Sequence, residues 1–149
     1  MNLEGYKTNS LKLEIGYEFE TEGMTIPDAA IFIYAGLTGE THPVHEDDEY
    51  AKNSIFGRRV VQGLLTLSIC QGFLSKNCDI RSKGKANLGM DNVRFLKPVF
   101  PGDTIRAKAK IIDVRESKKH PENKIVKIQV KGVNQDNIEV ISYETTLLF

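Results

Sequence analysis

The chain has 149 residues, 40% hydrophobic and 27% charged, long enough to bury a real core and composed like an ordinary globular domain. Lys plus Arg total 20 and Asp plus Glu total 20, and this even balance excludes the basic excess of a general nucleic-acid binder. No apolar run reaches membrane-spanning length, the N-terminus MNLEGYKTNSLKLEIGYEFE is too polar for a signal peptide, and Cys70 and Cys78 alone make no disulfide framework. A single cytoplasmic domain over residues 1–149 is the expectation.

The first element is a half-buried strand over 11–20. Leu11, Leu13, Ile15, Tyr17 and Phe19 alternate with Lys12, Glu14, Glu18 and Glu20, the period of a strand with one wet face. TIPDAAIFIYAGLTG then predicts a short amphipathic helix. Thr25 is placed to cap it, Pro27 suits its first turn and Asp28 complements its positive end. Ala30, Ile31, Tyr34 and Leu37 form one stripe, and Gly39 is a stop signal.

The next stretch, LTGETHPVHEDDEYA, crowds Glu40, His42 and His45 around Pro43. Proline disfavours helical geometry in the residue before it, so an extended, irregular corner is expected from Glu40 to His45. A second short helix follows over 47–53, with an acidic first turn. VVQGLLTLSICQGFLSKN, residues 60–77, is apolar nearly all round, the pattern of a buried helix. Cys70 sits inside that run as a small buried hydrophobe.

The remainder reads as sheet, with strands over 92–96, 104–114, 124–133 and 138–149. Ile105, Ala107, Ala109 and Ile111 alternate with Arg106, Lys108 and Lys110. PGDT at 101–104, HPEN at 120–123 and NQDN at 134–137 are turn signals, the last suited to a hairpin. Helices followed by antiparallel strands give the α+β class. One buried helix beside a long antiparallel sheet predicts a sheet curled around that helix.

Candidate chemistry gathers at the proline corner. A carboxylate and an imidazole that reach one water can between them take and return a proton, and Glu40 with His45 is such a pair; the same two groups on a loop are also often merely solvated. His42-x-x-His45 beside Glu40, Glu46 and Asp47 supplies metal-ligand types, but Pro43 gives the imidazoles no reason to converge, so no metal is expected. Neither cysteine has an electropositive setting, Ser68 lies inside the apolar helix and His120 sits in a lysine-flanked turn. Gly63 allows close packing, or presents a backbone N–H near a helix start to an oxyanion. Arg58, Arg59, Lys83, Lys85, Arg94 and Lys97 could meet phosphates or serve only as solubilising charge.

TIPDAAIFIYAGLTGETHPVHEDDEYAKNSIFGRRVVQGLL and the later NVRFLKPVFPGDTI resemble the signature of MaoC-like dehydratases, the (R)-specific enoyl-CoA hydratase group. That resemblance implies a hot dog fold, an antiparallel sheet wrapped around a long central helix, usually paired as a dimer. It also implies reversible hydration of a trans-2-enoyl thioester carried on coenzyme A or an acyl-carrier protein, with no cofactor beyond the coenzyme A of the substrate. Position by position, His45 matches the family's catalytic histidine and Gly63 its oxyanion-hole amide. Glu40 stands where the family normally has aspartate, His42 where it has asparagine and Gln62 where it often has histidine. Substrate contacts are expected from His42, Gln62, Arg58, Arg94 and Lys97.

Overall fold

The computed structural model describes residues 11–149; segment 1–10, part of the stretch read as too polar for a signal peptide, lies outside them. The elements run β1 (Glu18–Glu20), β2 (Met24–Thr25), α1 (Asp28–Thr38), α2 (Pro43–Glu46), α3 (Asp48–Lys52), α4 (Gly63–Lys76), α5 (Cys78–Lys83), β3 (Ala86–Phe95), β4 (Thr104–Glu116), β5 (Lys124–Val133) and β6 (Glu139–Leu148). The sheet order is β1-β4-β5-β6-β3, antiparallel throughout, with β2 also on β4.

Alternation builds the core. Ile105, Ala107, Ala109 and Ile111 of β4 are buried, as are Val126, Ile128 and Val130 of β5 and Ile141, Tyr143 and Leu147 of β6. α4 packs on this face through Cys70, Phe73 and Leu74. Each large aliphatic side chain so buried contributes about 1.5–3 kcal/mol. A Cβ on Gly132 would stand 2.5 Å from Ile141 Cγ2 and 2.8 Å from Cys70 Sγ, so glycine there sets how closely α4 approaches β5. The turns fall where expected. Gly102 takes φ +92°, and Asn134 Oδ1 accepts from the Asp136 and Ile138 N–H groups to close the β5–β6 hairpin.

Several expectations change. The strand expected over 11–20 is regular only at Glu18–Glu20, because Gly16 turns the chain at φ +91° and leaves Ile15 exposed, although Gly16 and Tyr17 still bond Ile111 of β4 through the backbone. Thr25 caps nothing: it belongs to β2 and its hydroxyl bonds that of Thr104, while Pro27 takes the N-cap position of α1. The corner is not irregular throughout. His42 is extended, as Pro43 requires, but Pro43 itself opens the helical turn α2 and carries His45 on it. The central helix starts at Gly63, because Val60 and Val61 are extended and bond the Val44 and Val99 carbonyls instead. It is not covered all round: the sheet takes one side, and Leu64 on the other is 55% exposed. α5 carried no clear sequence signal, and β3 begins six residues before the expected 92–96 strand.

Candidate active site

An open cleft of about 660 Å³ lies between the segment from α1 to α3 and the start of α4. Glu40, His42, His45, Gln62, Gly63 and Lys97 all border it. The structure therefore brings together six of the eight side chains and glycines expected at the site. Arg58 and Arg94 do not border the cleft: Arg58 stacks over the Phe100 ring at 3.8 Å, and Arg94 on β3 bonds the Val93 carbonyl.

Each group is placed by its local sequence. α1 ends where Gly39 adopts the left-handed region, its N–H bonding the Ala35 carbonyl, and the chain leaves directly into Glu40. Thr38 Oγ1 accepts from the Glu40 N–H at 3.3 Å. The His42 ring caps α2, its Nδ1 accepting from the Val44 N–H at 3.2 Å, and packs edge-on to Tyr50. His45 is half-buried, with its Nδ1 2.7 Å from the Val60 carbonyl. A carbonyl only accepts, so Nδ1 is the donor of this contact, and the neutral tautomer compatible with it carries its lone pair on Nε2, where it can act as a base.

The whole overhang is braced from behind. Arg59 bridges Asp28 at 2.9 Å and Asp48 at 2.6 Å, joining the starts of α1 and α3. The Asp48 hydrogen bond, helped by Asp28, raises the Arg59 pKa against the opposing effect of burial. Asp47 caps α3 by accepting from the Tyr50 N–H.

Gly63 is the first residue of α4, a fourteen-residue helix with no side-chain cap and no acidic residue in its first turn. Its positive end is thus left open at the cleft. A Cβ on Gly63 would stand 2.9 Å from Phe95 Cε1; the ring sits against the glycine and forms part of the wall. Phe95, Tyr34 and Phe56 also border the cleft, although the sequence singles out none of them: Tyr34 belongs to a core-like stripe and Phe95 to a strand pattern. The remaining wall is apolar, including Val44, Leu96, Val99 and Val140. No group of three or more His, Cys, Asp or Glu side chains among the described residues is arranged to hold a metal ion. Nor is any helix among them long and apolar enough to cross a membrane.

A sheet curled around one helix, with an acid and a histidine overhanging that helix's N-terminus, defines a hot dog domain of the hydratase type. Residues 10–134 match the family model described as a MaoC like domain. The chain belongs to the MaoC-like dehydratase family. It is 38% identical over 97 residues to the protein MaoC of Klebsiella aerogenes, covering 65% of this chain and 28% of that protein. Over 96 residues it is 30% identical to an (R)-specific enoyl-CoA hydratase of Rhodospirillum rubrum, covering 64% of each. The chain thus spans less than two thirds of either relative's length. Among solved structures, a monoamine oxidase regulatory protein from Archaeoglobus fulgidus superposes with TM-score 0.83 at 34% identity, covering 91% of this chain and 90% of that one. The (R)-hydratase from A. caviae gives TM-score 0.75 at 26% identity, covering 93% and 97%.

Proposed function

We propose that this chain is a hydratase/dehydratase that adds water reversibly and syn across the trans-2 double bond of an enoyl thioester. The observation that carries the reading is the shared cleft: Glu40, His45 with its free Nε2 and the uncapped start of α4 all border it. In the hydration direction, Glu40 and His45 orient one water, and His45 Nε2 takes its proton as the oxygen bonds C3. The electron pair of the double bond moves to the thioester as an enolate, whose oxygen the Gly63 N–H stabilises. The acid/base pair then returns a proton to C2. The thioester already activates the alkene, so the reaction asks for no metal or organic cofactor.

Lys97 borders the cleft, which supports a role for it in meeting a phosphate of coenzyme A or of a carrier-protein arm, and His42 and Gln62 lie within the same walls. Arg58 and Arg94 would join only through a part of the carrier lying outside the cleft. A homodimer completes the proposal. β3 ends the sheet with one edge unpaired among the described residues, and exposes Leu88 and Phe95, an edge that a second copy would cover. Light scattering at micromolar concentration checks it; a monomer mass counts against it.

Crotonyl-CoA tests the activity. Loss of the enoyl absorbance without free thiol supports hydration. Release of thiol indicates a thioesterase, and no change indicates a binding subunit; either result rejects the proposal.

A further inference from the structure

We infer that Gln62 is a positioning residue that locks α1, and through it Glu40, onto the first turn of α4; this rests on the reading of Glu40 given above. Gln62 holds the N-cap position of α4, yet its side chain does not cap the helix. It turns away instead, and Nε2 donates to the Ile31 carbonyl in the first half of α1 at 3.1 Å. Because that carbonyl can only accept, the amide orientation is fixed: Nε2 faces α1, and Oε1 is left buried with no partner among the described residues. The residue is only 2% exposed. A buried, half-satisfied amide is destabilising beside a well-packed apolar side chain, so stability alone does not account for glutamine here.

What the bond does is specific. The Gly63 amide opens α4, while Glu40 lies in the loop two residues beyond the last residue of α1, so their alignment depends on how α1 sits on α4. Gln62 is the direct chain neighbour of Gly63, and Ile31 lies on α1, the helix whose C-cap Gly39 immediately precedes Glu40. One hydrogen bond therefore spans the two halves of the site. His45 does not depend on it, being tied separately to Val60. Loss of the bond should loosen Glu40 and leave His45 in place.

The test is Gln62→Met, which keeps the length and bulk of the side chain and removes the donor, with Gln62→His, whose neutral ring again offers one donor and one acceptor. In the crotonyl-CoA assay, Q62M should lower kcat about tenfold to a hundredfold, as expected for slight misplacement of a reacting group, with KM within about twofold, and Q62H should recover most of the loss. In a Glu40→Gln background, Q62M should cost nothing further. Hydrogen exchange provides a readout independent of activity: Q62M should speed exchange at the C-terminal turn of α1 while the second half of α4 stays protected. Unchanged exchange in α1, wild-type kcat, a rise confined to KM, or an undiminished loss in the Glu40→Gln background would each overturn the inference. An inactive wild-type protein would instead reject the hydratase reading and leave the exchange result to decide the anchoring.

Discussion

Replacing Gly63 by alanine probes the proposed oxyanion amide through a collision that can be measured in advance. The added Cβ falls 2.9, 3.0 and 3.2 Å from Cε1, Cδ1 and Cζ of Phe95. Carbon atoms rest comfortably at about 3.5–4.0 Å, so the ring or the start of α4 must retreat by roughly 0.5–1 Å. A shift of about 1 Å in a reacting group costs on the order of a hundredfold, and complete loss of one oxyanion donor costs about 10²–10³-fold. Gly63→Ala should therefore lower kcat/KM for crotonyl-CoA by about 10²-fold, or about 2.7 kcal/mol of transition-state stabilisation. Phe95 is half exposed at the end of β3, so Phe95→Ala should leave the fold intact and remove the colliding ring. The double variant should then fall within about tenfold of Phe95→Ala alone, a coupling that a double-mutant cycle isolates. Wild-type activity in Gly63→Ala would refute the argument, as would a double variant no better than Gly63→Ala.

Glu40→Gln and His45→Ala should each reduce kcat by about 10²–10⁴-fold with unchanged melting, and the double variant should be far less than additive, because both groups act on one water. Glu40→Asp should slow the reaction in a cleft built around the longer acid; a gain in rate would show instead that the glutamate is a degraded aspartate. Gly132→Ala should destabilise the fold by about 1–3 kcal/mol in denaturant titration, since its Cβ meets Ile141 and Cys70 at 2.5 and 2.8 Å; unchanged stability would show that the sheet adjusts freely. Burial pushes the Cys70 thiol from 9.0 up to about 12. The folded state thus favours the protonated thiol, so this contribution is fully present below about pH 9 and fades as pH climbs from 9 towards 12. A Cys70→Ala variant should lose less stability across that interval than the wild type, and an equal loss would contradict the assignment.

The two halves of the fold were unequally legible. β4, β5 and β6 could be read almost to the residue because alternation such as Ile105, Ala107, Ala109 and Ile111 reports directly which face meets the core. The segment at 11–20 kept its inward pattern at Leu11, Leu13, Tyr17 and Phe19 but not its pairing, since side-chain alternation says nothing about where a glycine such as Gly16 takes a positive φ. Pro43 carried two messages of opposite sign, disfavouring helix at His42 and favouring it from its own position onward. The first predicts an extended corner through His45; the second prevails in the structure and puts His45 on a helical turn. At the site, charge and ring chemistry made Glu40, His42 and His45 visible. The bond from Gln62 to Ile31 was not, because it joins positions 31 residues apart with no local pattern.

The anchor of His45 is a main-chain carbonyl, that of Val60. Residue 60 can change its side chain without deleting the acceptor, because every amino acid contributes the same backbone oxygen. The tautomer that leaves Nε2 available is therefore protected from genetic drift in a way that a carboxylate-held imidazole is not. A neighbouring aspartate can be lost by a single codon change, whereas this acceptor disappears only if the backbone between Val60 and Gly63 is rerouted. Redesign of the cleft for another acyl group can accordingly change the side chain at position 60, within the room its burial leaves, while keeping the acceptor that holds the base.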